Sequence, residues 1–205
     1  MKGIKWIFFF ICCIWLFSCS KSTLQPSDFV QWVKNEENGL FKEKDVQVVK
    51  VAAQYKPVEY VISNEMRTND IEKKDFDKRK KELEGLQYFD IQLSINQPNY
   101  DVTNYNVFNE QDKEKRLKYL SFGLQNDIHL VDGRDTLPCL LYHFERSYDV
   151  KPHRTFVVAF ENKDNSSKNQ DKTIVVDTPI FGIGPIKLKF RKEDLAQIPS
   201  IKLNQ

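Results

Sequence analysis

Histidine and glycine are scarce in this chain of 205 residues, at three and seven. The histidines, at 129, 143 and 153, form no HxH or HxxxH pair. Ligands carried on one strand or helix need close spacing of that kind. A hairpin turn at Asp132-Gly133 would put His129 opposite Thr136, and at about 3.4 Å per residue His143 then lies more than ~20 Å along the return strand. No metal site is expected. The few glycines make neither GxSxG nor GxGxxG: Phe181-Gly182-Ile183-Gly184-Pro185 lacks the third glycine and opens no helix. No serine is set beside a His–Asp pair by any motif, and Asp132 and Asp135 read as turn residues. These absences assign no catalytic residue and no cofactor.

Charge of one sign is also missing. The 31 basic and 29 acidic residues nearly cancel. Residues 1–18 hold two lysines and no acid, so the chain after them carries 29 of each. That balance gives no general attraction to nucleic acid. Cysteine is limited to positions 12, 13, 19 and 139. Long apolar runs are limited to one, Trp6 to Phe17, at twelve residues. A membrane-spanning helix needs about 20.

That run follows Lys2 and Lys5 and leads to Leu16-Phe17-Ser18-Cys19. A charged start, an apolar stretch and a small residue at the cut describe a secretory signal. Leu16, Ser18 and Cys19 resemble the lipobox of bacterial lipoproteins, with Phe17 bulkier than that pattern prefers. The resemblance implies cleavage before Cys19, a thioether-linked diacylglycerol on its sulfur and acylation of its new amino group. Two or more acyl chains hold a protein stably where one is marginal. The expected organisation is a signal peptide over 1–18, a lipidated tether over 19–27 and a single domain over 28–205. Cys139 is then the lone unmodified thiol, so no internal disulfide forms. Its apolar setting, LPCLLY, fits a buried structural role.

Along the domain, Phe29, Trp32 and Val33 predict a helix stopped near Gly39, and Pro57 opens a second over PVEYVISNEM. Between them, 45–55 reads as a strand with a bulge at Val48-Val49. Residues 70–84 form an exposed helix whose seam is only Phe76 and Leu83, with a basic cluster from Lys78 to Lys81. That cluster reads as a solvated face, with binding of anionic headgroups as the alternative. QYFDIQLSI alternates cleanly as a half-buried strand. Asn109 caps a helix bearing Leu117, Leu120 and Leu124. After it come the Asp132-Gly133 hairpin, with Val131 facing Arg134 and Ile128 facing Leu137, a return strand to Phe144 apolar on both faces and thus central, and the strands RTFVVAF, KTIVVD and IKLKF. NKDNSSKNQD is loop, and KEDLAQI adds a short helical turn. The fold class is α+β: a mainly antiparallel sheet of about six strands, with three to four helices packed mostly on one face.

WVKNEENGLFKEK, QYKPVEYVISNE and FGLQNDIHLVDGRDTLPCLLYHFERSYD resemble a group of uncharacterised lipoproteins from Bacteroidota. The resemblance implies a Gram-negative envelope and brings no activity with it. Surface-displayed lipoproteins of that phylum resemble one another in a run of acids after the cysteine. None occurs here before Asp28, and Ser20 follows Cys19, which together imply an outer-membrane anchor facing the periplasm. The expected partners are the membrane, through lipid on Cys19, and another envelope protein bound without catalysis. The alternative is a small-molecule or lipid pocket lined by Tyr142, Phe144 and Phe181, with a hydrolase third.

Overall fold

The computed structural model describes residues 22–145, 153–163 and 169–205. The signal stretch and Cys19 lie outside the described residues. The chain enters at strand β1, Thr23–Leu24, and helix α1 begins at Pro26 and runs to Lys34, so the polar stretch expected as tether is already part of the fold from Thr23. Proline suits this first helical position because its missing N–H would be unpaired there anyway. Gly39, at φ 74°, closes a short 3-10 turn after the helix.

Strands β2, Phe41–Val46, and β3, Val49–Lys56, pair antiparallel, with Val46 opposite Val49 across Gln47 and Val48. Sequence reading placed a bulge here. The structure has a hairpin, and Gln47 takes the left-handed conformation, φ 56°. Helices α2, Val58–Met66, and α3, Lys73–Leu83, follow. Then β4, Leu86–Ile95, pairs with β3 on one side and with β8, His153–Glu161, on the other. Helix α4, Glu110–Lys118, starts at Asn109, whose side chain accepts from the Asp112 amide at 2.9 Å. It runs into a π turn over Tyr119–Gly123.

Strands β5, Ile128–Asp132, and β6, Asp135–Pro138, form the next hairpin. Its turn is Gly133-Arg134, not Asp132-Gly133: Asp132 pairs with Asp135, Val131 with Thr136, Leu130 with Leu137 and His129 with Pro138. The return strand is not continuous either. Cys139 and Leu140 carry the chain across to β7, Leu141–Phe144, the edge strand of a different sheet. Apolar residues on both faces mark that change of sheet, not a central position, and Leu140 is 60% exposed. Strands β9, Lys172–Val176, and β10, Ile186–Phe190, complete the second sheet. Helix α5, Lys192–Ala196, and β11, Ser200–Ile201, are the last elements, with β11 parallel to β1.

The fold is α+β, with five α-helices and eleven strands among the described residues. Two antiparallel sheets, ordered β2-β3-β4-β8-β7 and β10-β9-β5-β6, face one another. Their inner positions form one core, in which Phe89 meets Tyr55, Phe160 and Phe190 at ring-centre distances of 5.1, 5.8 and 5.5 Å. The other face of the five-stranded sheet is partly covered by helices. Gln54 donates to the Val33 carbonyl at 3.0 Å, Tyr88 to the Leu83 carbonyl at 3.3 Å, and Lys56 lies over Tyr60. A smaller cluster, Ile62, Ile71 and Phe76, joins α2 to α3.

Candidate functional site

Exposed apolar side chains stand just before α4, on it, on its π turn and at the start of β7. Phe108 is 85% exposed, Phe122 70%, Leu140 60%, Leu141 40% and Leu117 39%. Leu117 was expected on the buried seam with Leu120 and Leu124. Only the latter two are buried, because the wider π turn after Lys118 changes the phase of the face that follows. A groove of ≈ 700 Å³ runs beside Leu117 and Phe122, edged by Glu110, Lys113, Glu114 and Lys118.

This region is firmly mounted. Arg116 is buried and donates to the carbonyls of Val102 at 2.8 Å and Tyr105 at 3.0 Å, pinning the preceding loop, and its guanidinium lies 5.3 Å from the Phe181 ring centre. Tyr119 donates to Asp127 at 2.6 Å and shares a 3.1 Å hydrogen bond with the Thr178 hydroxyl. Tyr142 donates to the Leu120 carbonyl inside the π turn. Burial raises both phenols well above the usual tyrosine value, and the Asp127 carboxylate adds to the shift at Tyr119. Neither exchanges a proton near neutral pH. The hydroxyls serve as struts that tie the π turn to Asp127, Thr178 and β7.

The three residues expected to line a ligand pocket are placed as follows. Tyr142 and Phe144 come together by stacking on Phe156, with ring centres at 5.9 and 4.9 Å. Phe181 sits under Arg116 instead. All three are partly buried against the core, and none lines the α4 groove, a ≈ 300 Å³ trough on the five-stranded sheet or a ≈ 230 Å³ hollow between α1 and α2.

The trough holds polar groups that the sequence did not single out. Gln92 and Ser94 lie half-buried in it and make no hydrogen bond through their side chains among the described residues, between Lys50, which pairs with Glu43 at 3.3 Å, and His153. Period-two alternation put Gln92 and Ser94 on the outer face but could not show that helices leave that end open.

Asp132 was read as a turn residue. Its carboxylate instead points inward and accepts from Lys172 Nζ at 2.7 Å, Gln87 Nε2 at 2.7 Å and Gln170 Nε2 at 2.8 Å. Lys172 is fully buried. Burial lowers its pKa, and the Asp132 carboxylate opposes that shift. Gln87 stands on β4, while Asp132 and Lys172 are register partners on β5 and β9. The cluster is therefore a polar bridge between the sheets, closed to any substrate. Asp135 stays at the surface, 3.8 Å from Lys163.

The three histidines stand on β5, β7 and β8, and among the described residues no three metal-capable side chains are gathered. Glu145 extends the pairing of β7 and β8 through its amide, which donates to the Thr155 carbonyl at 2.9 Å. Cys139 is half-buried and donates to the Leu141 carbonyl at 3.0 Å. Burial pushes its thiol up to about 11, which makes it a poor nucleophile.

No known protein-family profile and no curated protein matches the chain. A solved structure described as a novel protein of unknown function from Burkholderia pseudomallei is similar over 86% of this chain and 94% of that one, at 14% identity and a TM-score of 0.34. Similarity at that level leaves fold and function to be argued from this chain alone.

Proposed function

We propose that this chain is an envelope lipoprotein, held by acyl chains on Cys19, whose α+β domain binds another protein through the α4 groove without catalysis. The observation that carries the reading is the exposure of Phe122, at 70%, on a turn held rigid by Tyr119 and Tyr142. Apolar area left in water costs about 25 cal/mol per Å², and contiguous patches of it mark interaction surfaces. The edging charges, Glu110 and Glu114 with Lys113 and Lys118, are of both signs. The matching partner presents an apolar stripe flanked by mixed charge, as an amphipathic helix does.

A photoreactive residue placed at 122 in growing cells should give one dominant adduct. The same residue at 187, on β10, should not. Adding Leu117→Glu should remove that adduct while circular dichroism stays unchanged. Equal, diffuse adducts from both positions would refute the reading. Cys19→Ser should separately release the protein from membranes.

A small-molecule reading is favoured by one observation, the unspent hydrogen-bonding groups of Gln92 and Ser94 in the trough. It predicts a thermal shift with a small polar ligand that disappears in Gln92→Ala.

A further inference from the structure

Helix α3 carries six basic residues, and the structure divides them in two. Lys73 pairs with Asp77 at 2.6 Å, Arg79 with Glu65 and Glu82 at 2.9 and 2.7 Å, and Lys80 with Glu59 at 3.0 Å. Lys74, Lys78 and Lys81 are exposed and make no ion pair among the described residues. At 100° per residue these three fall within about 60° of one another, opposite the buried seam of Phe76 and Leu83. Asp75 borders this stripe about 100° from Lys74, while Asp77 and Glu82 are engaged by the pairs above. A pattern mixed along the sequence thus becomes a cationic stripe facing straight out.

The same edge of the molecule holds the point where the chain arrives from Cys19. β1 pairs with β11, and the chain beyond β11 bonds to the start of α3: the Lys73 amide donates to the Asn204 carbonyl at 3.0 Å and the Asn204 amide to the Ile71 carbonyl at 2.9 Å. Three residues lie between Cys19 and Thr23, so four residue steps give a reach of at most about 14 Å.

We infer that Lys74, Lys78 and Lys81 rest on the headgroups of anionic phospholipid, orienting the anchored domain on its bilayer. The inference depends on the anchor proposed above. An acyl chain on Cys19 keeps the stripe within tens of ångströms of the surface, and each lysine near an anionic surface shifts the docked-to-undocked ratio about five-fold. The attraction is local and screened by salt.

The test uses the full lipidated chain in phosphatidylcholine vesicles with and without phosphatidylglycerol. Flotation reads the anchor. Acylation of each lysine by a water-soluble amine reagent, relative to Lys187, reads the docking. On anionic vesicles Lys74, Lys78 and Lys81 should react at least about five-fold more slowly than on neutral ones. They should recover in about 1 M salt, where screening reaches about 3 Å. The combined variant K74Q, K78Q and K81Q should float equally well. Floating protein whose lysines react alike on both vesicles overturns the docking alone, as does slowing that needs no anionic lipid and so belongs to a different partner. A chain that does not float on neutral vesicles overturns the anchor and the docking with it.

Discussion

At the residue scale, the buried charges of Lys172 and Asp132 depend on each other, at 2.7 Å between the sheets. Replacing Lys172 with Met strands the Asp132 carboxylate between the sheets, and breaking a buried pair in this way costs about 3–5 kcal/mol. Adding Asp132→Leu should recover part of the loss, leaving the amides of Gln87 and Gln170 without their shared acceptor. Urea midpoints of the single and double variants measure this directly. Asp101 makes a pH-dependent contribution. Burial opposes its ionisation, but the Thr103 hydroxyl and amide and the Arg154 guanidinium outweigh it and hold the carboxyl below the ordinary aspartate value. The stabilisation is therefore fully present above the unfolded pKa of about 3.9 and lost as pH falls through the lower folded value. Asp101→Asn should lower the melting temperature at neutral pH and flatten its decline in acid. An unchanged acid limb would show that the carboxylate does no such work. Neither role was legible beforehand, since a lysine at the start of a strand and an aspartate in a loop read as surface residues.

At the element scale, local pattern was enough wherever one face is buried and one is wet. QYFDIQLSI became β4 because Phe89, Ile91, Leu93 and Ile95 share the core face, and Asn109 capped α4 as its chemistry dictates. The reading failed where a turn lacks its usual residue or a strand changes partners. Gln47 offers no turn signal, so the hairpin at 47–48 passed for a bulge. The stretch from Leu137 to Phe144 passed for one strand because both faces carry apolar groups, which two sheets use in succession. The two turns make opposite predictions. Gln47→Gly should stabilise the protein by about 0.5–1 kcal/mol, since glycine adopts a positive φ without steric cost. Gly133→Ala should destabilise by at least as much, because its φ is 62° and an added Cβ would sit 2.2 Å from the Gln170 side-chain oxygen. Chemical denaturation of both variants, with signs compared, decides the point.

At the scale of the whole molecule, one core spans both sheets while the contact between α2 and α3 rests on a separate, smaller cluster. The two regions should therefore open differently. The sheets share Phe89 and the rings around it, so amides of β4 and β9 should exchange with hydrogen-exchange free energies close to that of global unfolding. Phe89→Ala, at about 3–5 kcal/mol, should lower both together. Helix α3 is held by Phe76, Ile71, Ile62 and a few ion pairs at its flanks, and Lys74, Lys78 and Lys81 on its outer stripe are exposed. Its amides should open at a lower free energy than those of β4. Phe76→Ala should lower α3 further while leaving β4 and β9 nearly unchanged, since their core does not include that ring. If α3 proved as protected as β4, or if Phe76→Ala loosened the sheets equally, the two clusters would act as one cooperative unit. The basic helix would then be fixed as rigidly as the core, instead of forming the weaker layer beside the chain's entry at Thr23.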